Sequence, residues 1–297
     1  MREVNIAEKS RDTNRHIYGI DFSGAKDAGK KIWIARGIAE GRKLRIEDCC
    51  QASSLPGAGN DRDSCLAALR DFIAREKNSI FGADFPFGLP NKVIQELFKV
   101  GTWAEFVRDF YETFSGPKDF RKTCWKAANS SELKRVTDKC SKTPFSPYNL
   151  RVCYQTYYGI HDILYPLVSA GRARVLPMQG VESGKTIIIE ICPASTLKQL
   201  EKRPSGKNLY KTYKGRGEEY RNQRLQIVDA LMKTSLISIP DSIRTTALND
   251  TGGDALDSII AAYSTFCASC KHFAVEDKKD CEKDYEKDYH LEGYVFA

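Results

Sequence analysis

Five carboxylates in this chain end or open an apolar element instead of sitting in a polar run. Asp21 follows "HIYGI", Asp84 follows "SIFGA", and Glu190 comes near the end of "KTIIIEICP"; Asp254 and Asp257 open "DALDSIIAAYS". Clustered carboxylates repel one another, so a group of this size needs cations to neutralise it. Hard divalent ions with oxygen ligands, Mg²⁺ or Mn²⁺, suit that donor set. Two such ions roughly 3.5–4 Å apart clamp a phosphodiester for in-line attack by water. That chemistry requires acids delivered from separate elements to one place. Each aspartate alone has an ordinary alternative as a turn or cap residue, and Asp254 also as favourable charge at a helix N-terminus. It is the repeated strand-end placement, together with the i, i+3 spacing of Asp254 and Asp257, that argues for a site.

The elements that must deliver these acids are legible from pattern. His16–Asp21, Lys31–Ala39 and Leu44–Ala52 read as three strands of an antiparallel meander. "DRDSCLAALRDFIAREK" spaces Leu66, Leu69, Phe72 and Ile73 as a helix does, and "SIFGADFPFGLP" is a strand that Pro86 stops. If the first and fourth strands are neighbours, Asp21 and Asp84 meet at one rim. Residues 91–175 have a helical texture: two amphipathic helices interrupted at Gly101, then an apolar helix with a bend at Pro166. "KTIIIEICP" is a β-branched fifth strand. "EEYRNQRLQIVDALMKTS" and "NDTGGDALDSIIAAYSTFCASC" are helices, the second with Asp250 and Thr251 as N-cap candidates. The expected fold is α/β, a mixed sheet of five strands flanked by helices, with a helical insertion between strands four and five.

The chain has 297 residues, 41% of them apolar and 29% charged, which supports a substantial core and excludes global disorder. Its net charge of +7 is compatible with nucleic acid without requiring it. The N-terminal "MREVNIAEKSRDTNR" lacks the apolar region of a secretory signal, and no run is long enough to span a membrane. Ten cysteines in that context read as reduced thiols in a cytoplasmic protein. The expected organisation is a flexible segment at 1–15, one domain at 16–275 with its insertion at about 91–175, and a charged tail at 276–297 whose final "EGYVFA" docks as an edge strand.

The motifs "GIDFSGA", "GADFPFGLP", "IIEICPAS" and "GGDALDSIIAAYS", in this order, resemble the domain of unknown function 429 family, and "LKRVTD" and "SPYNLRVCYQT" extend the resemblance through the insertion. That family is grouped with ribonuclease H-like folds and described as predicted nucleases. The resemblance covers roughly residues 16 to 270 and implies a metal-dependent nuclease. Within the wider group the similarity is closest to Holliday-junction resolvases, which use a strand-one acid, a strand-four acid and a DxxD on the last helix. Carried over by position, it implies Asp21, Asp84, Asp254 and Asp257 as ligands of two Mg²⁺ or Mn²⁺ ions, with Asp21 bridging both. Glu190, matched only by the narrower family's motif, would be a further ligand or would orient one. The first helix lacks a clear match for the additional glutamate of the ribonuclease H enzymes; Glu76 comes late and Asp71 is shorter.

Other signals compete. Gly24-x-x-x-x-Gly29-Lys30 nearly matches a phosphate loop, but it leads into a strand and not a helix, so a hairpin turn is expected. "GIDFSGA" with "TGGDA" also suits an actin-like or sugar-kinase-type phosphotransferase, although no second Asp-x-Gly strand hairpin is found. An inert nucleic-acid-binding or scaffold protein is the third class. Cys267-x-x-Cys270-x-His272 lacks a partner pair for zinc, and the Cys49-Cys50 pair and His161 read as packing residues. The segments 117–151 and 198–224 each carry nine Lys/Arg against three acids. They nominate Lys122, Lys126, Lys134, Arg135, Arg151, Lys211, Lys214 and Arg216, with Lys26, as contacts to a nucleic-acid backbone.

Overall fold

A computed structural model describes residues 15–202, 209–210, 212–275 and 286–297. Its strands are β1 (Arg15–Asp21), β2 (Trp33–Glu40), β3 (Lys43–Gln51), β4 (Ile80–Ala83), β5 (Ala173–Leu176), β6 (Thr186–Ile191), β7 (Ile237–Ser238) and β8 (Val295–Phe296). They form one mixed sheet in the order β5-β6-β4-β1-β2-β3-β7, with β8 on β6. β1, β2 and β3 are the expected antiparallel meander, and β4 lies parallel to β1 as its direct neighbour. Among the described residues the sheet has eight strands where the sequence suggests five. β5, β7 and β8 are four, two and two residues long, too short to show a period of two. β7 borders β3, while β8 takes up β6 at Glu190 and Ile191, where its pairing with β5 has ended.

The helices are α1 (Ala28–Lys31), α2 (Arg62–Arg75), α3 (Asn91–Leu97), α4 (Trp103–Thr113), α5 (Pro117–Ala127), α6 (Val136–Cys140), α7 (Cys153–Tyr158), α8 (Tyr165–Ser169), α9 (Pro193–Glu201), α10 (Glu218–Lys233), α11 (Asp241–Asn249), α12 (Asp254–Cys270) and α13 (Glu286–Glu292). Their ends follow local chemistry. The Asp61 carboxylate accepts the Ser64 amide at the start of α2 (2.9 Å), and Thr102 and Glu105 form a reciprocal capping box on α4. Gly159–Leu164, between α7 and α8, is π-helical and precedes Pro166, where a bend is expected. α1 is a single turn placed where a plain hairpin turn is expected. The expected lead-in at 1–15 lies outside the described residues except for Arg15, which already pairs with Ala39 in β1. The charged tail lies outside them at 276–285, and the final residues dock as expected.

Alternation along each strand sends side chains to two cores. Tyr18, Ile20, Phe81 and Ile188 join α2 and the insertion helices on one face; Ile17, Ile80, Ile187 and Ile189 join α9 to α12 on the other. α12 lies directly on β1. A Cβ at Gly19 would stand 2.1 Å from the Ala262 nitrogen and the Ser258 oxygen, so only glycine permits this approach. Buried Cys65, Cys124 and Cys153 pack as small apolar groups, and eight cysteines among the described residues are free. Cys140 departs from the expected reduced state and is disulfide-bonded. No helix among the described residues is long and apolar enough to cross a membrane.

Candidate metal centre

Register and parity decide which acids meet. β1 and β4 pair Ile20 with Ala83, and the Asp84 amide donates to the Ile20 carbonyl at 3.0 Å, so Asp21 and Asp84 are consecutive partners at the ends of parallel strands. Ile17 and Gly19 face α12, as do Ile80 and Gly82. Period two therefore sends Asp21 and Asp84 to that same face. α12 crosses Gly19 at Ser258 and Ala262. One helical turn back, about 5.4 Å, brings Asp257 and Asp254 to the end of β1. Gly253, at φ +77°, is the N-cap of α12, not the expected Asp250 or Thr251. Asp250 still serves that end, since its carboxylate accepts the Gly252 and Ala255 amides at 3.1 and 2.9 Å.

A loop before α10 closes the group. Lys214 Nζ lies 2.6 Å from Asp257 Oδ2 and 3.4 Å from Asp254 Oδ1, and the Tyr213 hydroxyl donates to Asp257 Oδ1 at 2.6 Å. Arg224, 2% exposed, holds this loop in place. Its guanidinium donates to the carbonyls of Tyr213 (2.7 Å), Gly215 (3.2 Å) and Leu248 (2.9 Å), tying the loop to the C-terminal turn of α11. Arg224, though part of the basic segment 198–224, is thus an internal staple.

The electrostatics record a shortage of positive charge. Burial, then the charge of Asp257, pushes Asp21 well above the usual carboxylate range, with Asp254 and Asp84 adding to the rise. Burial and Asp257 likewise push Asp84 up to about 8. Asp254 rises through burial, with Asp250 and Asp257 adding to the rise and Lys214 opposing it. Burial works against the Lys214 ammonium, but Asp257 and Asp21 outweigh it and hold Lys214 protonated. Among the described residues, one ammonium serves four carboxylates.

Glu190 does not belong to this group. On β6, Ile187, Ile189 and Ile191 face α12, so Glu190 points to the other side of the sheet. There Arg135 grips it with both terminal nitrogens, at 2.8 and 2.5 Å, and the Phe87 amide donates to it at 2.9 Å. Arg135 also donates to both Asp138 oxygens, at 2.9 and 2.8 Å. Only 1% exposed, it cannot be the backbone contact that the sequence suggests. Glu76, the alternative first-helix acid, accepts from the Tyr18 hydroxyl (2.8 Å), three residues back from Asp21 on β1 and on the sheet's other face. Asp71 is exposed beside Arg75. Neither joins the cluster.

Between the acids and the insertion is a cavity of about 330 Å³, lined by Asp84, Asp257, Tyr213 and Lys214 on one side and by Phe145, Val152 and Gln155 on the other. Of the expected nucleic-acid contacts, only Lys214 touches the acids. Lys26, Lys122, Lys126, Arg151 and Arg216 are exposed elsewhere, and Lys134 bonds to the Thr143 carbonyl at 2.6 Å. Lys211 lies outside the described residues. His161 stacks between Tyr111 and Tyr157, centroids 4.4 and 5.0 Å away, as a packing residue. Sequence reasoning missed Tyr213 and Arg224 as site residues; their only signal was a basic, tyrosine-rich segment.

Among the described residues, no three His, Cys, Asp or Glu side chains stand as a ready metal-ligand set; the ammonium of Lys214 sits among the acids. The donor chemistry nevertheless fits a hard divalent cation, because these are oxygen donors in mutual repulsion and short of countercharge. The fold and this rim define an α/β protein with a carboxylate-lined cleft. No family model, curated protein or solved structure matches the chain.

Proposed function

We propose that the protein is a divalent-metal-dependent nuclease that hydrolyses phosphodiester bonds of nucleic acid at the Asp21–Asp84–Asp254–Asp257 rim. The observation that carries this reading is Asp21 and Asp84, each one residue beyond the Ile20–Ala83 pair and on the α12 face, met by the first turn of α12, with the Lys214 ammonium the one cation among the described residues that touches these acids. The strand sequence β3-β2-β1-β4-β6, antiparallel in its first three members and parallel in the rest, supports a ribonuclease H-like fold. It also agrees with the resemblance to the domain of unknown function 429 family.

In this reading Asp21, Asp84, Asp254 and Asp257 would hold the Mg²⁺ or Mn²⁺ ions. When bound, the ions supply an activated water and polarise the phosphoryl oxygen. The chain's own residues do the rest. Tyr213 fixes the rotamer of Asp257 through its 2.6 Å hydrogen bond. Lys214, 48% exposed on its side chain, would neutralise a non-bridging phosphate oxygen. Phe145 and Val152 form a low-dielectric wall facing the reacting groups. Calorimetric titration with Mn²⁺, paired with cleavage of labelled strands, tests the reading. Wild type takes up Mn²⁺ and cleaves; Asp21→Asn does neither while keeping its fold. Cleavage surviving in clean Asp21→Asn protein sinks it. Binding of a nonhydrolysable ATP analogue without Mn²⁺-dependent cleavage transfers the site to the phosphotransferase class.

A further inference from the structure

The loop that leaves β1 serves a second cavity. Six residues line it with usable chemistry: Lys26, Arg62, Lys118, Asp119, Tyr154 and Tyr158, around an open volume of about 410 Å³. Three cations face one carboxylate, and that carboxylate is engaged: Asp119 Oδ2 lies 3.4 Å from both the amide and the hydroxyl of Ser115 at the start of α5. Arg62 lies flat on the Tyr158 ring, 3.9 Å from its centroid, and donates to the Gly24 carbonyl at 3.3 Å. Its Nε is buried and makes no hydrogen bond, with the exposed Asp63 carboxylate 3.7 Å away. Tyr154 is 36% exposed and lines this space, its ring centroid 6.5 Å from that of Tyr158. Cations with open aromatic faces are the combination that grips a nucleic-acid backbone while stacking its bases.

The two cavities are contiguous along the chain. Lys26 is five residues beyond Asp21, a reach of at most about 18 Å. Tyr154 lines this cavity and its neighbour Gln155 lines the acidic one, with Gln155 Nε2 donating to the Asp84 carbonyl at 3.2 Å. The β1 loop is pressed onto α7 here: a Cβ at Gly24 would stand 2.6 Å from the Tyr154 carbonyl. A strand crossing this contact would pass from the acids to the basic, aromatic cavity.

The geometry points to a single-strand subsite: the Lys26–Arg62–Lys118 cavity holds the backbone of unpaired nucleic acid flanking the scissile phosphate, with a base stacked on Tyr154. The inference rests on the nuclease reading for what happens at the acids, but not for the binding itself. An unpaired strand is specified because a stacking tyrosine needs a free base face, which a duplex does not offer.

The test is fluorescence anisotropy with a labelled oligothymidylate of about 12 nucleotides and the matching duplex, in chelator, so that no metal chemistry enters. Wild type is expected to prefer the single strand. Tyr154→Ala should weaken it roughly 5- to 150-fold, and Tyr154→Phe should retain affinity. Lys26→Ala and Lys118→Ala, both at exposed positions, should each lower the salt slope by about 0.7. Arg62→Ala should weaken binding further, with a thermal melt checking its fold. Wild-type affinity and salt slope in the Tyr154, Lys26 and Lys118 variants overturn the subsite, as does a duplex bound as tightly as the strand. Mn²⁺ titration of the same proteins separates the two ideas. Strand binding of this pattern without Mn²⁺ uptake supports the subsite and sinks the nuclease; Mn²⁺ uptake without it does the reverse.

Discussion

Two groups of carboxylates meet at one cavity, through Asp84 and Asp257 on one side and Glu190 and Asp138 on the other, and are held in opposite ways. On the insertion side, Glu190 and Asp138 share the Arg135 guanidinium, and Glu292 accepts the amides of Asn91 and Val136 at 2.5 and 2.7 Å. On the α12 side, Asp21, Asp84, Asp254 and Asp257 share the ammonium of Lys214. The first group is a closed knot joining β6, α6 and the C-terminal segment, with its acids each supplied with donors. The second is left in repulsion at a cavity wall. Satisfied acids hold a fold together, whereas acids kept short of partners at an opening are available for a ligand.

The contrast breaks most visibly at Arg135. Arg135→Ala strands two buried carboxylates and should cost about 3–5 kcal/mol in urea unfolding. A loss under 1 kcal/mol would mean the knot is ornamental. Asp21→Asn should do the reverse, raising the melting temperature in chelator by relieving repulsion. It should also abolish Mn²⁺-dependent cleavage, a fall of at least ~10³-fold, or about 4 kcal/mol in the barrier. Gly19→Ala wedges a methyl between β1 and α12 and should cost about 1–3 kcal/mol in denaturant unfolding, with Mn²⁺ affinity falling as the α12 acids move off Asp21. Lys214→Met removes the resident competitor for the acids. Calorimetry should show Mn²⁺ bound about tenfold more tightly, while cleavage falls because the phosphate loses its ammonium.

The smallest effect is a pH slope in the knot. Burial pushes Glu292 up to about 7 from its ordinary 4.5. The folded state therefore keeps a proton that the unfolded chain gives up, and stability drains away as pH climbs between those values. Glu292→Gln cannot ionise, so its melting temperature should gain on wild type from pH 5 to pH 8. A constant difference across that range removes Glu292 from the account.

Asp21 and Asp84 were legible because each ends a short apolar run followed by turn residues, and a strand end is a local property. Glu190 ends a run too, yet it belongs to the other group. "TIIIEI" is buried on both faces, as central parallel strands are, so its sequence carries no alternation to say which way residue 190 points. Arg135 was misplaced for a related reason. Charge in a sequence suggests solvent, and nothing near Arg135 announces a partner 55 residues away. β7 was invisible because two residues cannot show a period.

What the amino-acid order fixed by itself was local: where strands stop, which helices form, how they are capped, and that acids stand at strand ends. Those properties depend on neighbours within a turn or two of the chain. Which face each acid takes, which cation meets it, and whether a charge is buried or free were decided only in three dimensions. They follow from strand register, from the approach of α12 to β1 across Gly19, and from pairings between residues tens to hundreds of positions apart.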